Sequence, residues 1–279
     1  MNLKEGRAKV GGAMYESNLS QKSISNLHIT LRHFGNYLSA YKRANINRIK
    51  PKDIADYREY MHSLGFKPRT IRNYIVILKA FFKRLHRDGL DCLDPEDIGM
   101  PKLLVTVPRY LSRDEVQRII DAEPNVRNKA MISLAFCSGA RSSELTSMLV
   151  DDYFGNKILL RQTKTSRQRY VYVSEQTRDY IQEYLASRTD GLEYLFRTSV
   201  NASIMPKTIN YIFKVSGDRV GLHLYPHLLR HSHATHFLRE TGNIRYVQKS
   251  LGHVNIQNTV IYTHVVDDDV VGAHKMAFS

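Results

Sequence analysis

From Ser20 to Tyr41 the apolar residues Ile24, Leu27, Leu31, Phe34, Leu38 and Tyr41 fall three and four positions apart. That spacing gathers them on one stripe of an α-helix and leaves the polar residues on its other side. A second helix is predicted after Lys50: Pro51 suits its first turn, Ile54, Tyr57, Met61 and Leu64 form its stripe, and Gly65 offers a left-handed terminator. A third runs from Pro68 through Ile71, Tyr74, Leu78, Phe82 and Leu85 to a stop at Gly89. Such stripes must cover one another, so residues 1–95 are expected to form a small helical bundle. Prolines 95, 101 and 108 interrupt regular structure between Asp91 and Arg109, which sets a linker at 96–109.

Ser112 and Glu115 then make a capping box, serine at the N-cap and glutamate three residues on, and open a second domain over 110–266. It reads as helices with one β interruption. "KILLRQTKTSRQRYVYV" is two short strands around a polar turn, a hairpin whose tip carries Lys164 and Arg167. Helices are expected near 175–187, 206–218, 226–241, 244–251 and 255–264. In the tail, 267–279, Asp267 to Asp269 precede Val270, Val271, Ala273 and Met276, which suits a short helix with acidic residues at its positive end. The fold class is therefore mainly α with a small β-hairpin, and no internal repeat or low-complexity segment modifies it.

Composition adds a partner. The chain has 279 residues and a formal net charge of +14, too basic for an enzyme of neutral metabolites, and the charge points to a polyanion. Residues 1–100 hold 18 Lys+Arg against 10 Asp+Glu and the remainder 23 against 17, so both halves are expected to touch it. In the third helix Arg69, Arg72, Lys79 and Lys83 lie outside the apolar stripe, either as a solvated face or as one lying along phosphates. No run approaches the roughly 20 apolar residues of a membrane span, and the polar start lacks the apolar core of a signal peptide. A cytoplasmic, nucleoid-associated protein without a membrane partner is expected. Cys92 and Cys137 form no framework and read as reduced packing residues.

The candidate chemistry begins in "YPHLLRHSHATH", residues 225–236, where Pro226 opens a helix and His227, Arg230 and His231 share one face near its N-terminus. Two histidines four apart can hold zinc. Here Leu228 stands where the HExxH pattern has its glutamate, and Arg230 would repel the cation, so no metal is expected. An anion fits better: a helix N-terminus offers unpaired N–H groups, and a guanidinium grips two phosphate oxygens at once. His231, His233 and His236 are assigned to packing and local hydrogen bonds. In "SGARSSEL", Arg141 sits at a helix start with Glu144 placed to fix its guanidinium, although a surface ion pair of little weight has the same spacing. "SLGH" points His253 out of a turn, and "VIYTH" carries Tyr262, which on its own would read as a core tyrosine.

Taken in order, Arg141 in G-x-R-x-x-E-L, His227 with Arg230 in H-x-L-R-H, His253 in L-G-H and Tyr262 in I-Y-T-H resemble the active site of tyrosine site-specific recombinases, and specifically the compact Xer type of bacteria and archaea, over residues 17–266. The resemblance implies an N-terminal helical core-binding bundle and a tyrosine-recombinase catalytic domain that close on DNA, four protomers assembling on two sites. It implies that Tyr262 attacks a phosphodiester, giving a 3′-phosphotyrosine and a 5′-hydroxyl with no cofactor. Arg141, Arg230 and His253 would stabilise the pentavalent phosphate, and His227 would orient or assist proton transfer. Lys164 would protonate the leaving oxygen, with Lys157 as a weaker candidate because "TKTSRQR" has lost both glycines of the usual G-K-G-x-K-x-R. Ser138 replaces the usual threonine, and His233 stands where relatives usually carry phenylalanine. In the family a tail like 267–279 docks on the neighbouring protomer. The expected role is resolution of chromosome or plasmid dimers. The alternatives are a mobile-element integrase, a type IB topoisomerase, a zinc hydrolase or a DNA-binding relative without catalysis.

Overall fold

The computed structural model describes residues 20–40, 45–103, 109–161, 168–191, 193–198 and 203–263. Tyr41, Lys164, Arg167 and the tail from 267 lie outside the described residues. The chain divides into two compact units, Met1–Val105 and Thr106–Ser279. Each has its own apolar core.

In the first unit α1 (Gln21–Ala40) and α2 (Pro51–Ser63) both pack on α3 (Pro68–Arg87). The expected stripes are the buried ones: Leu27, Leu31 and Phe34 from α1, Ile54, Tyr57 and Met61 from α2, Ile71, Leu78, Phe82 and Leu85 from α3. Tyr74 is half-buried against this core, and Leu64 is 51% exposed, because it sits at the C-cap of α2 where the chain turns away through Gly65. The Asp53 carboxylate accepts the Lys50 N–H at 2.8 Å and fixes the start of α2. Two of the four basic residues singled out on α3 are engaged within this unit. Arg72 donates to the Pro101 carbonyl, and Lys79 pairs with Glu96 at 3.1 Å, so both tie α3 to the segment that leaves it. Arg69 and Lys83 are exposed.

In the second unit α4 (Arg113–Asp121) opens on the predicted capping box: Ser112 Oγ accepts the Glu115 N–H at 3.1 Å and the Glu115 carboxylate accepts the Ser112 N–H at 2.8 Å. The next helix, α5 (Val126–Ser138), is the centre of the unit. Ala130, Met131, Ile132, Leu134 and Ala135 bury it on all sides, and α7 (Glu175–Ala186) and α9 (Pro226–Thr241) pack against it. Between them lie α6 (Ser142–Ser147) and an antiparallel hairpin of β1 (Lys157–Leu160) and β2 (Arg169–Tyr172), which pairs Leu160 with Arg169. Ile158, Leu160 and Val171 turn into the core. After α8 (Pro206–Asp218) and α9 come α10 (Ile244–Leu251) and a short α11 (Gln257–Val260). The helix expected over 255–264 is thus a single turn, with Tyr262 just beyond it. No described helix is long and apolar enough to cross a membrane.

The path from α8 into α9 depends on one close approach. The Gly217 carbonyl accepts the N–H groups of Val220 and Leu222, which folds the chain back across its own helix before Leu224 enters the core. A Cβ on Gly217 would run into the Leu222 carbonyl oxygen and meet Leu224 Cβ at 2.6 Å. Backbone lies in the way, and it cannot swing aside as a side chain could. Gly217→Ala is expected to lower stability by about 1–3 kcal/mol in a urea melt, the range for overpacked cores.

Candidate active site

The site is built where α5, α6, α9 and α10 end or begin. Gly139 closes α5 in the left-handed conformation (φ 61°), and Ser138 Oγ braces the turn by donating to the Leu134 carbonyl at 2.6 Å and accepting the Ala140 N–H at 3.2 Å. Only glycine suits this place, since a Cβ would meet His233 at 2.6 Å and Leu251 at 2.8 Å. The turn delivers Arg141 to the N-cap of α6, and Glu144 follows one turn in.

Glu144 is no surface partner. Its side chain is 1% exposed and is gripped from two sides. Arg169, from β2, donates through both terminal nitrogens at 2.9 and 3.1 Å; Arg141 donates its backbone N–H at 2.8 Å and Nη1 at 3.1 Å. Burial alone would raise this carboxyl; the hydrogen bonds and charge of Arg169, then those of Arg141, overrule it and hold the group at about 2. Arg169 continues across the site, giving its Nε–H to the Ser250 carbonyl at 2.7 Å. Arg169 therefore joins the hairpin both to Glu144 on α6 and to the end of α10. The sequence contained this residue as the last letter of "TKTSRQR", but nothing in strand periodicity separates a buried arginine from a solvated one.

Arg230 lies one turn into α9 and is 1% exposed. Its Nη1 donates to the Gly139 carbonyl at 2.5 Å, and its Nη2 reaches the Leu251 carbonyl at 2.8 Å and His253 Nε2 at 2.9 Å. Guanidinium nitrogens only donate, so Nε2 of His253 is the acceptor and its proton sits on Nδ1, which donates to Thr259 Oγ1 at 2.9 Å. Burial and the neighbouring Arg141 lower the Arg230 guanidinium to about 10, still a cation at neutral pH. Burial, then Arg230 and Arg141, hold the His253 imidazole down at about 4. His227 is exposed and lines a concavity of about 360 Å³ together with Arg141 and Arg230.

Tyr262 is 2% exposed and packs among Ala234, Leu238, Val247 and Leu251. Its hydroxyl points out of that cluster to His231 Nδ1, 2.9 Å away. Burial pushes the phenol above its ordinary value, while the charges of Arg230 and Arg141 pull it back down. The sequence assigns His231 to packing and local hydrogen bonds; its hydrogen-bond partner is 31 positions away and is the hydroxyl of the candidate nucleophile. The other two histidines of the run do brace the fold, His233 Nε2 against Ser250 Oγ at 3.1 Å and His236 Nε2 on the Leu111 carbonyl at 2.8 Å. Lys157 Nζ stands 4.8 Å from the Tyr170 ring centre and 5.9 Å from that of Phe154, held on the hairpin by its aromatics.

Residues 109–268 match the phage integrase family, and residues 14–89 match the family's N-terminal SAM-like domain. The chain belongs to this family, whose members are tyrosine recombinases. Among its relatives is the tyrosine recombinase XerA of Pyrococcus horikoshii, 33% identical over 85% of this chain and 83% of that protein. A crystal structure of XerA recombinase superposes with a TM-score of 0.56 at 26% identity over 99% of each chain. The Tn1549 transposon integrase in complex with transposon right-end DNA shares the fold at a TM-score of 0.79, with 18% identity over 100% of both chains.

Two substitutions test the electrostatics. Glu144→Gln leaves the buried Arg169 and its neighbour Arg141 without their counter-charge and is expected to cost about 3–5 kcal/mol by chemical denaturation. In the native chain the Glu144 contribution is complete above pH 4.5 and is lost as pH falls from there through about 2. His233 is held at about 4, chiefly by burial. An unfolded histidine takes its proton near 6.5, so stability falls as pH drops from that value to about 4. The Tm of His233→Phe is expected to fall less steeply across that window than the native Tm.

Proposed function

We propose that this chain is a site-specific DNA recombinase that cuts and rejoins strands through a 3′-phosphotyrosine on Tyr262, and that it resolves chromosome or plasmid dimers in the manner of Xer recombinases. One observation carries the reading: Arg141, Arg230 and His227 border one open concavity, and the charges of the same two guanidiniums pull the Tyr262 phenol down. The net charge of +14 and the XerA relatives support double-stranded DNA as the partner and the Xer role as its use.

In this reaction the phenolic oxygen attacks phosphorus, the bond to the 5′ oxygen breaks, and one phosphodiester is exchanged for another at almost no net cost. The pentavalent transition state gathers extra negative charge on the phosphoryl oxygens. Arg141 and Arg230 are preorganised for it: Glu144 fixes the first, backbone carbonyls fix the second, and neither reorganises much at the moment of reaction. His253 adds a hydrogen bond once it leaves Arg230, His227 orients the phosphate from the mouth of the concavity, and Lys164 protonates the leaving oxygen. Most affinity comes from phosphates and sequence choice from a few side chains and DNA shape, with Arg69, Arg72, Lys79 and Lys83 on the first unit contributing to the backbone contacts. Four protomers act on two sites, residues 1–95 and 110–266 clamp the duplex across the 96–109 linker, the 267–279 tail docks on a neighbour, and the work is done at the nucleoid.

The experiment uses a nicked duplex carrying a site enriched from random DNA by binding to the chain. The native chain is expected to become covalently attached to it; Tyr262→Phe should bind the same duplex without attachment, and Arg230→Ala should slow attachment by on the order of 10² or more. Attachment by Tyr262→Phe would remove the nucleophile. Resolution of a plasmid dimer bearing two such sites, compared with insertion of a linear donor, separates the Xer role from that of a mobile-element integrase.

A further inference from the structure

The proposed chemistry needs a group that accepts the proton of a phenol shielded from water, and although the resemblance implies that His227 orients or assists proton transfer, the imidazole against the Tyr262 hydroxyl is that of His231. We propose that His231 is a catalytic residue of this chain, its Nδ1 taking the Tyr262 proton as the phenolic oxygen attacks. This rests on the reading of Tyr262 as nucleophile.

The geometry supplies three arguments. Nδ1 of His231 lies 2.9 Å from the hydroxyl oxygen, within reach for direct transfer. The two rings sit 5.4 Å apart with 57° between their planes, so contact is made through the edge of the imidazole that carries Nδ1 and not by stacking. The hydroxyl belongs to a side chain only 2% exposed, which removes bulk water as the acceptor. The other imidazoles around the site are committed elsewhere. His253 receives Arg230 on Nε2 and donates to Thr259 from Nδ1, and His233 is turned to Ser250. His227 packs against His231, their ring centres 4.6 Å apart in an edge-to-face arrangement.

The charges explain why an imidazole suffices. Burial raises the phenol, so a free phenolate is costly; Arg230 and Arg141 offset part of that cost. A base that draws the proton while the P–O bond forms spares the site from ever accumulating the anion. The balance is complete. The Tyr262 O–H bond breaks and its proton passes to Nδ1. The phenolic oxygen bonds to phosphorus, and the P–O5′ bond breaks with its electron pair on the 5′ oxygen, which takes a proton from Lys164. On rejoining, each transfer reverses and the His231 imidazolium returns the proton to the tyrosine.

The test measures single-turnover attachment to the nicked duplex described above. His231→Ala and His231→Asn are both expected to slow it by about 10² or more while leaving duplex binding intact. Asparagine can still accept a hydrogen bond from the phenol but cannot carry away its proton, so a native rate for His231→Asn overturns the proposal even where the alanine variant fails to fold. A fluorinated tyrosine at 262, whose phenol ionises more readily, should restore more than 10-fold of the rate lost in His231→Asn and change the native rate far less; equal effects in both chains also overturn it. The two readings fail separately. Attachment by Tyr262→Phe sinks the nucleophile itself, whereas an inert Tyr262→Phe beside a fast His231→Asn sinks only the role of His231.

Discussion

A single buried carboxylate organises the second unit. Glu144 binds a guanidinium from the hairpin and another from its own helix, and the hairpin guanidinium reaches on to the last turn of α10. Three elements are thereby registered through one ion-paired cluster. In a low-dielectric surrounding such a group is stable only while its partners stay in place. The position of Arg141 is thus a property of the fold, and so is the backbone that leads into His253. Gly139 and Gly252 complete the arrangement by giving room: a side chain on the second would press on the Arg169 guanidinium at 2.9 Å.

Arg230 follows the same logic from another direction. A guanidinium at 1% exposure is costly unless its donors are used, and two of its bonds go to carbonyls at the ends of α5 and α10, which helices leave unpaired. The cation satisfies the helix ends, and the helix ends position the cation. Fold stability and the orientation of this cation are therefore not separable here, so substitutions at these positions have to be read with binding and folding controls together.

Much of the architecture could be read in the chain. The stripes of α1, α2 and α3, the capping box before α4 and the hairpin all rest on local rules, and local rules are written in short windows of sequence. The helix without a stripe was harder: α5 is apolar on every side because it runs through the middle of the unit, and periodicity vanishes when there is no wet face. The same limit applies to the site. Arg141, His227, Arg230, His253 and Tyr262 stand out by motif and order, yet the links among them are long-range. Arg169 and His231 take their meaning from partners 25 and 31 positions away. No window of sequence contains both ends of either bond, and His231 in isolation looks like any histidine on a helix.

The hydrogen bond between Arg230 and His253 carries a consequence for how DNA is admitted. As it stands the imidazole is a lone-pair donor toward the guanidinium and shows its N–H only on the far side, to Thr259. In the proposed reaction it has to present an N–H to a phosphoryl oxygen instead. In that reaction the arriving negative charge would favour the doubly protonated ring, while the carbonyls of Gly139 and Leu251 keep Arg230 in place. The ligand would thus recruit the imidazole into an anion receptor whose two guanidiniums are already set.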